Sequence, residues 1–116
     1  MRRTIQIVFV IASCWLLVAC ATQKVVQDLA KTFVEMQDAG KLPGLPPGVD
    51  AEIHMEPRDQ FEHVTYPYTR DIFVMKADDP SCYTYHFSKE SKDTEWHLTK
   101  AWVTTRNGDR SELKVQ

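Results

Sequence analysis

The sequence predicts an α+β fold: one N-terminal amphipathic helix packed on an antiparallel meander of four to five strands. Three observations predict it. Apolar residues recur at spacings of three and four over residues 23–39, the period changes to alternation beyond a Pro/Gly connector, and Asn107-Gly108 is a strong hairpin signal.

In the helix, Val26, Leu29, Phe33 and Met36 form the apolar stripe, and Val25 and Ala30 widen it. Thr22 is placed to cap its start and Gly40 its end, with Lys41 where the helix dipole favours a cation. Lys24, Lys31 and Lys41 interleave with Asp28, Glu35 and Asp38, as on a solvated face. The connector, residues 43–48, lies in Leu42-Pro43-Gly44-Leu45-Pro46-Pro47-Gly48, which forbids both a helix and a central strand.

Beyond it, Val49, Ala51, Ile53 and Met55 alternate with Asp50, Glu52, His54 and Glu56, a half-buried strand ended by Pro57. A second strand over residues 70–76 has Ile72 and Val74 on one face and Phe73 and Met75 on the other, so both of its faces are expected to be covered. Asp78-Asp79-Pro80-Ser81 turns into a third strand, where Tyr83, Tyr85 and Phe87 oppose Cys82, Thr84, His86 and Ser88. Residues 96–105 form a fourth strand rich in β-formers, and a short fifth runs through Leu113 and Val115.

Upstream of this domain, Arg2 and Arg3 precede an apolar run from Ile5 to Val18, the layout of a secretory leader too short for a membrane span of about 20 residues. The run ends in Leu17-Val18-Ala19-Cys20, which resembles the lipobox of bacterial lipoproteins. The resemblance implies cleavage between Ala19 and Cys20 and a thioether from the Cys20 thiol to diacylglycerol, with acylation (palmitate, for instance) of the new amino group. Two or three chains anchor stably at about 0.8 kcal/mol per buried CH₂, whereas one alone is marginal. Ala21, rather than Asp, after the cysteine resembles the outer-membrane default, facing the periplasm. Two other outcomes are open: cleavage after Ala21 at the A-x-A pattern, releasing a soluble periplasmic protein, or retention as an uncleaved signal anchor.

With residues 1–19 removed as the signal peptide, residues 20–116 suffice for one hydrophobic core and not two. The chain carries 14 basic and 16 acidic side chains with no basic stripe, so nucleic acid is excluded as an expected partner. Cys14 leaves with the leader and Cys20 is consumed by lipid, so Cys82 stands alone and is read as a small packed strand residue.

Among candidate sites, pairing Phe87 with Trp96 would set His86 opposite His97, with His54, Glu52 and Glu56 as further ligand types; the plainer reading is a hydrated sheet face, with no metal and no cofactor. Glu62 beside His63 makes no catalytic case, and no catalytic residue is assigned. Tyr83, Tyr85, Phe87, Trp96 and Trp102 are read as the core under the helix, unless a bulge near Lys100-Ala101 turns Trp102 outward to meet a partner. Tyr66-Pro67-Tyr68 reads as turn chemistry.

This order of elements resembles the cystatin-like and NTF2-like helix-on-sheet folds. The run from Trp96 to Trp102 with Asn107-Gly108 is similar to small uncharacterised envelope lipoproteins. The Gln-x-Val-x-Gly hairpin of cystatin inhibitors is absent, since Gln23-Lys24-Val25-Val26-Gln27 lacks the glycine. The expected function is a non-enzymatic envelope lipoprotein contacting another protein or the wall. The alternative is an NTF2-like small-ligand-binding or enzymatic domain with a pocket on the curved sheet. A third possibility is a homodimer through edge strands.

Overall fold

A computed structural model describes residues 17–59 and 62–115, with side chains from residue 23 onward. The predicted n-region and most of the apolar run lie outside the described residues, as does the Cys20 side chain.

The first element is a helix, α1 (Leu17–Asp38). Its start differs from expectation: the backbone is already helical from Leu17, so Thr22 lies inside the helix and not at its first position. The sequence Leu17-Val-Ala-Cys-Ala-Thr22 contains no breaker to stop propagation. The other end is as expected. Gly40 takes φ 70°, its N–H donates to the Gln37 carbonyl at 3.0 Å, and the Lys41 N–H donates to the Met36 carbonyl at 2.8 Å. That pair of bonds is a Schellman stop, which satisfies carbonyls the helix leaves open.

Five strands follow: β1 (Ala51–Met55), β2 (Tyr68–Lys76), β3 (Cys82–Lys89), β4 (His97–Thr104) and β5 (Arg110–Leu113). They pair antiparallel in chain order, β1-β2-β3-β4-β5, so the predicted meander is the observed sheet. The β4–β5 turn closes with the Gly108 N–H on the Thr105 carbonyl at 2.9 Å and Gly108 at φ 91°.

One sheet face packs under α1. Leu29 and Phe33 from the helix, Leu42 and Leu45 from the connector, and Ile72, Val74, Tyr85, Phe87, Leu98 and Ala101 from the strands form the core. Phe33 meets Tyr85 and Phe87 edge-on at 5.7 and 6.2 Å. The connector is thus a second lid: the Tyr85 hydroxyl donates to the Pro43 carbonyl at 2.7 Å. Trp96 pins the helix through Nε1 to the Val25 carbonyl at 3.0 Å, and its ring lies 5.7 Å from that of Tyr68.

Candidate functional site

Alternation sends the remaining side chains to the opposite, outer face of the sheet, where no described element covers them. The register arranges them in rows across the strands. One complete row reads His54, Phe73, Thr84, Trp102, Glu112. A second reads Asp71, His86, Lys100. A third sets Glu52 beside Met75 on β1 and β2, and Cys82, Thr104, Arg110 on β3 to β5.

A bulge, raised from the sequence only as the exception to a core reading of Trp102, decides this arrangement and overturns that reading. Between His86 and Phe87 the β3–β4 register slips, so that Phe87 faces Leu98 while His86 faces Lys100. Thr99 is the extra residue, and its hydroxyl donates to the His86 carbonyl at 3.0 Å. The slip falls one position earlier than expected and has the expected effect. Ala101 enters the core, and Trp102 turns outward, half-buried under the Arg110 guanidinium at 3.9 Å from its ring.

The hairpin register, not the slip, sets the histidine pairing. It is shifted by two residues, with Phe87 facing Leu98 instead of Trp96, so His97 faces Ser88 and lies diagonal to His86 rather than opposite it. His86 Nδ1 lies 2.5 Å from Asp71 Oδ1, a within-face pair across β2 and β3. His54 sits two strands from His86, with Nε2 2.7 Å from Glu52 Oε1 in an exposed pair. Among the described residues no three His, Cys, Asp or Glu groups converge as metal ligands.

Cys82 is a free, half-buried thiol on the outer face. Thr84 is only 4% exposed there, walled by its row neighbours Phe73 and Trp102. Met75, at 41% exposed, is the most open apolar side chain of the face. The two-sided strand read from Ile72 to Met75 therefore has one face in the core and one uncovered among the described residues.

A polar cluster at the end of β2 adds a feature the sequence pattern does not announce. Arg70 points into the helix side and is 6% exposed; Nη1 donates to the Tyr68 hydroxyl at 3.1 Å and Nη2 to the Glu56 carbonyl at 2.5 Å. Its Nε has no acceptor among the described residues. Arg58 bridges Glu56 and Glu62 and reaches the Thr69 carbonyl at 2.9 Å, while the Tyr68 hydroxyl donates to Glu62 at 3.1 Å. Burial by itself would raise the Glu56 carboxyl. The Arg58 hydrogen bond, the Asp71 N–H and the charges of Arg58 and Arg70 outweigh that and hold it below the ordinary glutamate value. The cluster ties the β1–β2 loop to the sheet through Glu56 and Glu62; His63 is exposed. One signal could have found it: Arg70 shares its phase with Ile72 and Val74, and a buried guanidinium requires acceptors nearby.

On the helix side, an open groove of about 400 Å³ runs between α1 and the start of β4, lined by residues including Glu35, Met36, Trp96 and His97. No described helix is long and apolar enough to cross a membrane. Comparison with family models, curated proteins and solved structures gives no match for this chain.

Proposed function

We propose that this protein is a non-enzymatic envelope lipoprotein, tethered through Cys20 to the outer membrane and facing the periplasm, whose uncovered sheet face is a protein-contact surface. The observation that carries the contact reading is the asymmetry of the sheet. Its inner face is filled by Phe33, Tyr85 and Phe87, whereas its outer face displays Phe73, Met75 and Trp102 with nothing described above them. A pocket on the curved sheet in the NTF2-like manner finds less support, because the aromatic core occupies the space it would need.

The anchor and the contact face are tested separately. Cys20→Ser is expected to abolish lipid labelling and move the protein to the soluble fraction; unchanged membrane retention would count against the tether. A photo-crosslinking side chain at Met75, in intact envelopes, is expected to give protein adducts. The same probe at Val34, equally exposed at 40% but on α1, is expected to give none. Equal labelling from both positions, or none from Met75, removes the contact reading.

A further inference from the structure

We infer that the occupant of the outer face is a second copy of this chain, packed sheet to sheet about a twofold axis that runs along β3. This rests on the reading of that face as a contact surface and is independent of the lipid anchor. The argument comes from the order of charges along the rows. A twofold axis parallel to β3 keeps each row in place and exchanges its two ends, so β1 meets β5 and β2 meets β4 of the second copy.

Under that exchange every charged end finds its complement. Glu52 falls opposite Arg110 of the second copy, His54 opposite Glu112, and Asp71 opposite Lys100. Phe73 falls opposite Trp102, so an aromatic pair forms on each side of the axis. Arg110 is already held on the face by stacking over Trp102, which lowers the entropy cost of presenting its guanidinium to a carboxylate. The other in-plane axis, perpendicular to the strands through the Thr84 row, fails the same test. It sets Glu112 on Glu112 and leaves Asp71 and Lys100 facing Met75 and Thr104. The charge pattern thus selects one of the two ways of stacking the faces.

Five strands about 4.8 Å apart, with about 20 Å of strand length, offer roughly 500 Å² per copy and about 1,000 Å² in total, the lower bound for a specific interface. A reversible dimer rather than an obligate one is expected at that size. Cys82 lies on the axis strand in the row of Glu52 and Arg110, so the two thiols face each other. Backbones about 10 Å apart exceed disulfide reach, which ends near about 7 Å between Cα atoms, but a short bismaleimide can span the thiols.

The test uses the purified full chain in mild detergent, with Cys14→Ser and Cys20→Ser so that Cys82 is its one thiol. Sedimentation equilibrium is expected to give a concentration-dependent approach to twice the mass of one chain, and the bismaleimide a crosslinked dimer that the further change Cys82→Ala loses. Glu52→Arg and Arg110→Glu, both at exposed positions, should each weaken association by about tenfold or more. An equimolar mixture of the two variants should recover native association. In the mixed dimer the introduced guanidinium meets the introduced carboxylate at one end, and the native pair of Glu52 with Arg110 survives at the other. Effects confined within one chain, such as loss of the His54 or Trp102 contacts, would not be rescued by mixing. A monomer at all concentrations, or variants that mixing fails to rescue, overturns the inference. Adducts from Met75 to a different protein, with the chain monomeric, overturn self-pairing and leave the contact surface standing; no adducts at all remove both.

Discussion

Gly44 and Gly48 adopt the same left-handed backbone, φ +78° and +79°, in very different surroundings, which makes them a controlled pair. A Cβ on Gly44 would lie 2.8 Å from Tyr83 Cε2, 3.1 Å from Cδ2 and 3.3 Å from Leu113 Cδ1, whereas a Cβ on Gly48 meets nothing within 4 Å. Alanine at either site costs about 1–2 kcal/mol for its conformation, offset by about 0.4–1 kcal/mol from a less free unfolded chain. Gly48→Ala should therefore destabilise by about 1 kcal/mol. At Gly44 the clash is added. The Tyr83 ring cannot simply swing aside, since its hydroxyl is bound to Asp79 at 3.0 Å and the Lys76 ammonium sits 4.4 Å over it. Overpacking of this kind costs about 1–3 kcal/mol, so Gly44→Ala should lose about 2–4 kcal/mol. Urea unfolding followed by tryptophan fluorescence measures both. In a Tyr83→Ala background the extra loss should vanish, a coupling of about 1–3 kcal/mol in the double-mutant cycle. Equal losses for the two alanines, or no coupling to Tyr83, would refute the claim that the connector is seated on the sheet through this contact.

Three further outcomes follow from the core and the polar cluster. Phe33→Ala, which empties the site between Tyr85 and Phe87, should cost about 3–5 kcal/mol, while Val34→Ala on the exposed helix face should stay within about 0.5 kcal/mol by the same urea assay. Tyr68→Phe keeps the ring beside Trp96 but strips partners from Arg70 and Glu62, a loss of about 1–3 kcal/mol in thermal unfolding. The Glu56 carboxyl, lowered from 4.5 in the folded chain, adds stability that is complete above that value and disappears as the pH falls through the lowered one. Urea midpoints between about pH 6 and pH 3 should fall more steeply for the native chain than for Glu56→Gln; parallel profiles would contradict the assignment.

The helix, the meander and the inward phase of Tyr83, Tyr85 and Phe87 were legible because each rests on local periodicity or a turn residue. The outward turn of Trp102 was legible only as a conditional, since a bulge depends on how two strands align and not on either strand alone. The His86–His97 pairing depends in the same way on alignment: a hairpin two residues longer than the one assumed sets His97 against Ser88, and the extra residue at Thr99 then sets Lys100 against His86. Thr22 looked like a cap because capping residues are chosen by type, but whether a helix ends there depends on the residues before it. The Arg58–Glu62–Arg70 cluster joins a loop to a strand across a gap that no period describes, and Asp71 reached His86 only once the register was fixed.

Because strand order equals chain order, each ladder closes between neighbours and the sheet can zip up one hairpin at a time. The contacts that bring the helix end home are of another kind: Tyr85 reaches Pro43 across 42 residues, and Trp96 reaches Val25 across 71. Closing loops of that length costs more chain entropy than closing a hairpin. In any state where the sheet has formed and those two contacts have not, it presents two sticky sides instead of one, and aggregation is the hazard of that state.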